Sequence, residues 1–333
     1  SRMPRNLAGS ACRSLVEVGR ARSQVQSTLQ AEGLSSFQEL LASLRSGSKL
    51  PQAATQPWEP FGAALLEHAV RRSQVEAGGG GQQTALNEET QPLLLWSNLS
   101  RSTPTIWDVG VFFRSPDVMP LVEQHALKVC KEQGGLVLDV GGGAGSHVLA
   151  LAELSIDAEA VDVCPLAVEV MRRRGVAARQ ASFWKLGDIS RYSCLLFLMN
   201  SIGSAGSVDS IVKLLSQLHA WTAPQCIIVM DTSPPNWSLV EGAARRIRHP
   251  LSSAAFALRE WAVLECSLSY GKMHGAAFPL FFAEAHALQA AALQAGWHAS
   301  VACEDTSTGQ VLLRLEKRAK EASIGRGSAP KAG

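Results

Sequence analysis

From Gly135 to Asp231 the chain alternates between short apolar runs and amphipathic stretches, and this alternation narrows the possible folds more than any other feature. The runs at 135–140, 158–163, 176–182, 194–200 and 226–231 read as strands; the stretches at 145–154, 165–175 and 207–222 read as helices. "CLLFLMN" (194–200) is continuously apolar, as expected of a strand buried on both faces of a parallel sheet. The 207–222 stretch puts Ile211, Leu214, Leu215 and Leu218 on one helical face behind a serine cap. Strand–helix alternation of this kind predicts a doubly wound α/β sheet. Beyond it, "WAVLECSLSY" (261–270) reads as an extra strand. A helix stopped by Gly296 follows, and "HASVAC" and "GQVLLRL" then close a mostly parallel, seven-stranded sheet.

The first strand ends in Asp139 and runs into four glycines among five residues, Gly141, Gly142, Gly143 and Gly145. In open α/β sheets, ligands sit beyond the carboxyl ends of the strands, where strand order reverses. A glycine-rich turn there lets a ligand lie against bare backbone, and the N–H groups of the following helix's first turn face its anionic part. Dinucleotides and S-adenosylmethionine both fit this description. Three features favour the second. The dinucleotide pattern GxGxxG, started at Gly141, needs glycine where Ser146 stands. Asp139 sits where it can meet an ammonium, and a pyrophosphate gains nothing from an anion there. The chain closes with a helix and two strands rather than a second mononucleotide half. Asp162, at the end of the second strand, can accept from both ribose hydroxyls of either ligand.

"VLDVGGGAGSHVLALAE" and "AVDVCPLAVEVMRRRGV" resemble motifs I and II of class I S-adenosylmethionine-dependent methyltransferases. The resemblance is strongest to a mostly bacterial, uncharacterised group of that superfamily. It extends through "FGAALLEH" (61–68), "FFRSPDVMP" (112–120), "LLFLMNSIG" (195–203) and "FPLFF" (278–282), and so covers roughly residues 58–316. It implies a Rossmann-like fold, S-adenosyl-L-methionine as cofactor and methyl transfer as activity. Carried over by position, Asp139, Gly141, Gly142, Gly143 and Gly145 form the loop at the methionine moiety. Asp162 holds the ribose, Val163 lies against the adenine face, and Ser182 and Phe183 sit at the adenine edge. Met199 and Asn200 face the methyl group, and Arg114 pairs with the cofactor carboxylate. The group carries Asp where Ser182 and Ser193 stand, a departure that weakens expected cofactor affinity. Two other readings compete: a non-catalytic module that keeps the fold, and an NAD(P)-dependent oxidoreductase.

The rest of the sequence bounds the partners. A net charge of +2 argues against a dedicated nucleic-acid binder, and no apolar run approaches the ~18 residues of a membrane span. Seven cysteines without a CxxC pair read as buried thiols in a reducing compartment, not as a zinc site or a disulfide framework. The Arg- and Ser-rich stretch 1–31 has the composition of an organelle transit peptide, so the expected location is cytoplasmic or organellar. The expected organisation is an N-terminal extension (1–57, with a short helix at 35–47) and a helical cap (58–125) with a glycine-rich linker at 76–89. A core follows (126–316, with an insertion at 232–282), then a disordered basic tail (317–333). Helices are expected at 58–72 and from near Pro116. The aromatic content of the insertion (Trp237, Trp261, Phe278, Phe281, Phe282) suits a small, partly apolar acceptor. Asn200, His249 and His274 are the weak candidates for a catalytic role. Asn200 also fits a plain strand-end cap, the two histidines also fit solvated positions, and His147 reads as a surface residue.

Overall fold

The computed structural model describes residues 56–77, 91–99, 103–236 and 260–318. The expected helix at 35–47, the Arg-rich leading stretch, most of the linker, Trp237, His249 and the tail beyond 318 lie outside the described residues.

Among the described residues, six α-helices and twelve strands follow in chain order: α1 Glu59–Ala77, β1 Leu93–Ser97, β2 Thr105–Trp107, α2 Leu121–Gln133, β3 Val137–Val140, α3 Ser146–Glu153, β4 Ala158–Asp162, α4 Pro165–Arg173, β5 Ala178–Gln180, β6 Cys194–Phe197, α5 Val208–Trp221, β7 Ile227–Asp231, β8 Trp261–Tyr270, β9 Met273–His274, β10 Phe278–Ala283, α6 Ala285–Gln294, β11 Trp297–Asp305 and β12 Gln310–Lys317. The strands form two sheets. The large one has the order β11-β12-β7-β6-β3-β4-β5, parallel from β7 to β5 and antiparallel at β12 and β11. This is the doubly wound, seven-stranded sheet expected from the alternation.

Every residue of β3, β6 and β7 is buried, which is why these strands are apolar apart from Asp139 and Asp231 rather than alternating. Along β6, Leu195 and Phe197 join one core with α5, α6 and Trp297, while Cys194 and Leu196 join another with α2 and α3. Helix α5 is capped as expected: the Ser207 hydroxyl accepts from the Ser210 N–H at 3.1 Å, and its four predicted apolar positions are buried.

The small sheet, β10-β8-β1-β2 with β9 on β8, is antiparallel throughout. It corrects the expectation of a purely helical cap: "LLLWS" in the 58–125 segment is a strand paired with β8 of the later insertion. The helix expected near Pro116 begins at Leu121, after a 3-10 turn at Pro116–Val118. The small sheet and α1 share a core with Ala144, Ala167 and Val170 of the large unit. Helix α1 packs against α4, where Gly62 lets it approach the Cys164 thiol, and β10 packs on the 3-10 turn Ser201–Ala205 after β6. The small sheet is therefore anchored at the carboxyl ends of the parallel strands.

Candidate functional site

Chain order runs outward from β3 to β4 and β5 on one side and from β6 to β7 on the other, so strand order reverses between β3 and β6. The turns after these two strands meet there: a Cβ on Gly141 would lie 3.0 Å from the Ser201 Cβ. Asp139, the glycine loop, Met199 and Asn200 are thus brought to one crevice, with Arg114 against Met199 (Nη2 to Sδ, 3.9 Å).

The four glycines divide by cause. A Cβ on Gly142 would press on the Ala160 Cβ and the Met171 Sδ, both at 2.9 Å, and one on Gly145 would meet the Val176 Cγ2 at 2.9 Å. These two serve the packing of loop on helix. Gly143 has a φ of +56° and only ordinary contacts, with Phe112 at 3.6 Å and Phe61 at 3.7 Å, so its bare side faces the cap's aromatic rings.

The N–H groups of the loop's glycines are used within the fold. Gly141 and Gly142 both donate to the Val161 carbonyl (2.8 and 3.1 Å), Gly143 donates to Asp162 Oδ2 (3.0 Å) and Gly145 to the Gly142 carbonyl (2.7 Å). The four glycines therefore offer no free donor to an anion. No described residue donates to the carbonyls of Gly141 and Gly143.

Asp162 is also more occupied than the sequence suggested. Its second oxygen accepts from the Cys164 N–H at 2.8 Å, so the carboxylate ties the glycine loop to the start of α4. Burial pushes its pKa up to about 6, against those two N–H groups and with help from the charge of Asp139. Next to it Val163 is 47% exposed, an apolar side chain left open at a strand tip. At the tip of β5, the Ser182 hydroxyl accepts from the Trp184 N–H at 3.3 Å, and Phe183 packs partly into the core beside Trp184. Ser193 lies at the amino end of β6, bonded to the Gly134 and Leu136 carbonyls. It is a strand's length, roughly 13 Å, from the carboxyl tips of the strands.

Two features escaped the sequence. Asp231, at the end of β7, is 1% exposed and accepts from the N–H groups of Met199 (2.9 Å) and Asn200 (3.0 Å). Both of those residues have left-handed backbones, with φ of 56° and 59°, which for a methionine costs roughly 1–2 kcal/mol. Asp231 holds the strained turn in place, and burial pushes its own pKa up to about 7. The signal was present: "CIIVMD" ends in an acid, as "GLVLD" does. Asn200 is a positioned side chain whose Nδ2 donates to the Phe281 carbonyl of β10 at 3.0 Å, tying strand tip to cap.

The second feature is His147, which is 7% exposed and not the surface residue expected. Its Nε2 lies 3.1 Å from Glu123 Oε2 and its Nδ1 lies 3.5 Å from Asp139 Oδ2. Glu123 in turn accepts from Arg114 at 2.5 Å. Burial favours the neutral ring, but the bonds and charges of Asp139 and Glu123 outweigh it and hold the imidazole pKa up to about 10. Burial also pushes the Glu123 carboxyl up, and His147 and Arg114 more than reverse that, leaving it below its ordinary value. His274, by contrast, is exposed on β9 of the small sheet, paired with Ser269.

No protein-family profile matches the chain, and no curated protein matches it. Among solved structures, the chain is similar to a S-adenosylmethionine-dependent methyltransferase from Bacteroides fragilis in complex with S-adenosyl-L-homocysteine. The two share 26% identity over 80% of this chain and 97% of that one, with a TM-score of 0.61. It is also similar to the CcbJ methyltransferase from Streptomyces caelestis (16% identity, 62% of this chain and 93% of that one, TM-score 0.44). A third similar structure is the sugar N-methyltransferase KedS8 from Streptoalloteichus (16%, 66% and 98%, 0.43). At that level of similarity the last two add nothing to the argument.

Proposed function

We propose that this chain, which belongs to the class I S-adenosylmethionine-dependent methyltransferase superfamily, transfers a methyl group from S-adenosyl-L-methionine to a small, partly apolar acceptor. The observation that carries the reading is the chemistry of the β3–β6 crevice. A buried carboxylate, Asp139, stands there with no hydrogen bond at Oδ2 and His147 Nδ1 at 3.5 Å from it, beside a loop whose glycine N–H groups are bonded within the fold. Such a site suits an ammonium, not a pyrophosphate, and so disfavours the nicotinamide alternative.

The cofactor supplies an activated methyl on a sulfonium, so the protein's own task is to bind, orient and keep water out. Asp139 takes the ammonium of the methionine end and Arg114 its carboxylate. Asp162 fixes the loop and accepts from the ribose with its remaining lone pairs, and Val163 covers the adenine face, with Ser182 and Phe183 at its edge. Gly141, Gly142, Gly143 and Gly145 let the methionine end lie close to the backbone. Met199 and Asn200 stand over the methyl, held by Asp231. The described parts of the 58–125 segment and of the 232–282 insertion act as the cap over the acceptor, with Phe61 and Phe112 giving its site an apolar wall.

Calorimetric titration with S-adenosylhomocysteine, with NADH as control, tests the reading. Micromolar binding of the former alone is expected. Binding of NADH, or of neither ligand, would overturn it.

A further inference from the structure

This inference rests on the methyl-donor reading and concerns the charged side chains buried beneath the glycine loop. Arg114 comes from the turn before α2, Glu123 from the first turn of α2, Asp139 from β3 and His147 from the first turn of α3. They form one chain of alternating charge: Arg114 to Glu123 at 2.5 Å, Glu123 to His147 at 3.1 Å, His147 to Asp139 at 3.5 Å. Glu123, His147 and Asp139 are all more than nine-tenths buried. The middle of the chain is satisfied and its ends lack full hydrogen bonds: Arg114 Nε at one end is buried without one, and so is Asp139 Oδ2 at the other, which has only the long 3.5 Å approach of His147 Nδ1. Buried polar atoms are rarely left unpaired without a reason. A ligand bringing an anion to the first end and a cation to the second would complete the chain, and an α-amino acid zwitterion brings both.

We propose that His147 is a positioning residue for the cofactor: an imidazolium locked between Glu123 and Asp139 that keeps both acids ionised, so that Asp139 faces the ammonium as an anion while Glu123 steadies Arg114 for the carboxylate. Without the cation, two carboxylates share one buried gap and one of them takes a proton. A protonated Asp139 has nothing to offer an ammonium. The pKa of about 10 at His147 agrees with a ring that stays charged, and the charge of Asp231, which also acts on this cluster, adds to the need for a cation. The bland alternative is a structural pin that merely fastens α2 to α3 and serves every ligand alike.

The test separates the two ends of the ligand. Titrate wild type and His147→Gln with S-adenosylhomocysteine and with 5′-methylthioadenosine, which shares the adenosine and thioether but lacks the amino-acid end. His147→Gln should weaken the first on the order of tenfold, one pKa unit of lost ionisation, and leave the second within about twofold. Affinity of the variant for S-adenosylhomocysteine should also rise with pH more steeply than that of the wild type. Equal weakening of both ligands, or of neither, overturns the inference. If His147→Gln does not fold, nitrogen-15 NMR of the wild-type ring at about pH 8 decides, since a neutral ring there contradicts the proposal. A wild type that binds neither ligand overturns the methyl-donor reading and this inference with it, whereas wild-type binding with an unmoved ratio overturns this inference alone.

Discussion

The two sheets reach stability by opposite routes. The parallel strands of the large sheet pair with partners fixed by intervening helices, and their side chains are buried on both faces. The small sheet pairs β1 with β8, segments more than 160 residues apart, and its core borrows Ala144, Ala167 and Val170 from the large unit. One is a self-contained scaffold and the other is a graft on it. The lesson concerns function as well: the large sheet's strand tips are held by buried acids, while the cap reaches the site through a few contacts such as Asn200 to Phe281.

The largest effect should come from the scaffold's own core. Trp297 is fully buried and its Nε1 donates to the Leu215 carbonyl at 2.9 Å, so Trp297→Ala should cost about 4 kcal/mol in denaturant unfolding. Leu93→Ala tests the graft. It should cost about 3 kcal/mol, and unfolding should remain a single transition because the cores are shared. Two separate transitions would break the comparison and make the cap an independent domain.

Next comes pH. Asp162 and Asp231 have pKa values raised to about 6 and about 7, so the stability they contribute is present below about 4 and is lost as pH rises through those values. His147 has the same sign: its contribution is present below about 6.5 and lost as pH climbs towards 10. Stability should therefore fall from pH 5 to pH 9. Asp231→Asn should flatten the part between pH 5 and 7 by on the order of 2 kcal/mol, measured by thermal or urea unfolding across pH. An unchanged slope would mean that Asp231 is not a buried acid.

Within the glycine loop, Gly142→Ala should cost about 1–2 kcal/mol, because its Cβ meets Ala160 and Met171 at 2.9 Å. The smallest effect should come from the far end of the large sheet. Ser193→Asp should leave affinity for S-adenosylhomocysteine within about twofold, because Ser193 lies at the amino end of β6. A larger change would place the site somewhere other than the carboxyl edge.

The same contrast explains what could be read in advance. Strand–helix alternation is a local signal, so "CLLF" and "IIVMD" announced their strands, and Ser207 and Gly145 marked helix starts. "LLLWS" gave no such signal, because a short apolar run becomes a strand only when a distant partner is present. Within the site, the glycines and the acids closing β3 and β4 were legible as types. Their division of labour was not: that Gly142 answers to Met171, that Asp162 fastens the loop, and that His147 lies between two acids are facts of packing. Glu123, one acid among several on an ordinary amphipathic helix, carried no mark at all.

The most direct test of the central claim is amide hydrogen exchange with and without S-adenosylhomocysteine. The account predicts added protection at residues 139–145 and 199–201, on both sides of the point where strand order reverses. Protection confined to the small sheet, with both strand tips unchanged, would contradict it.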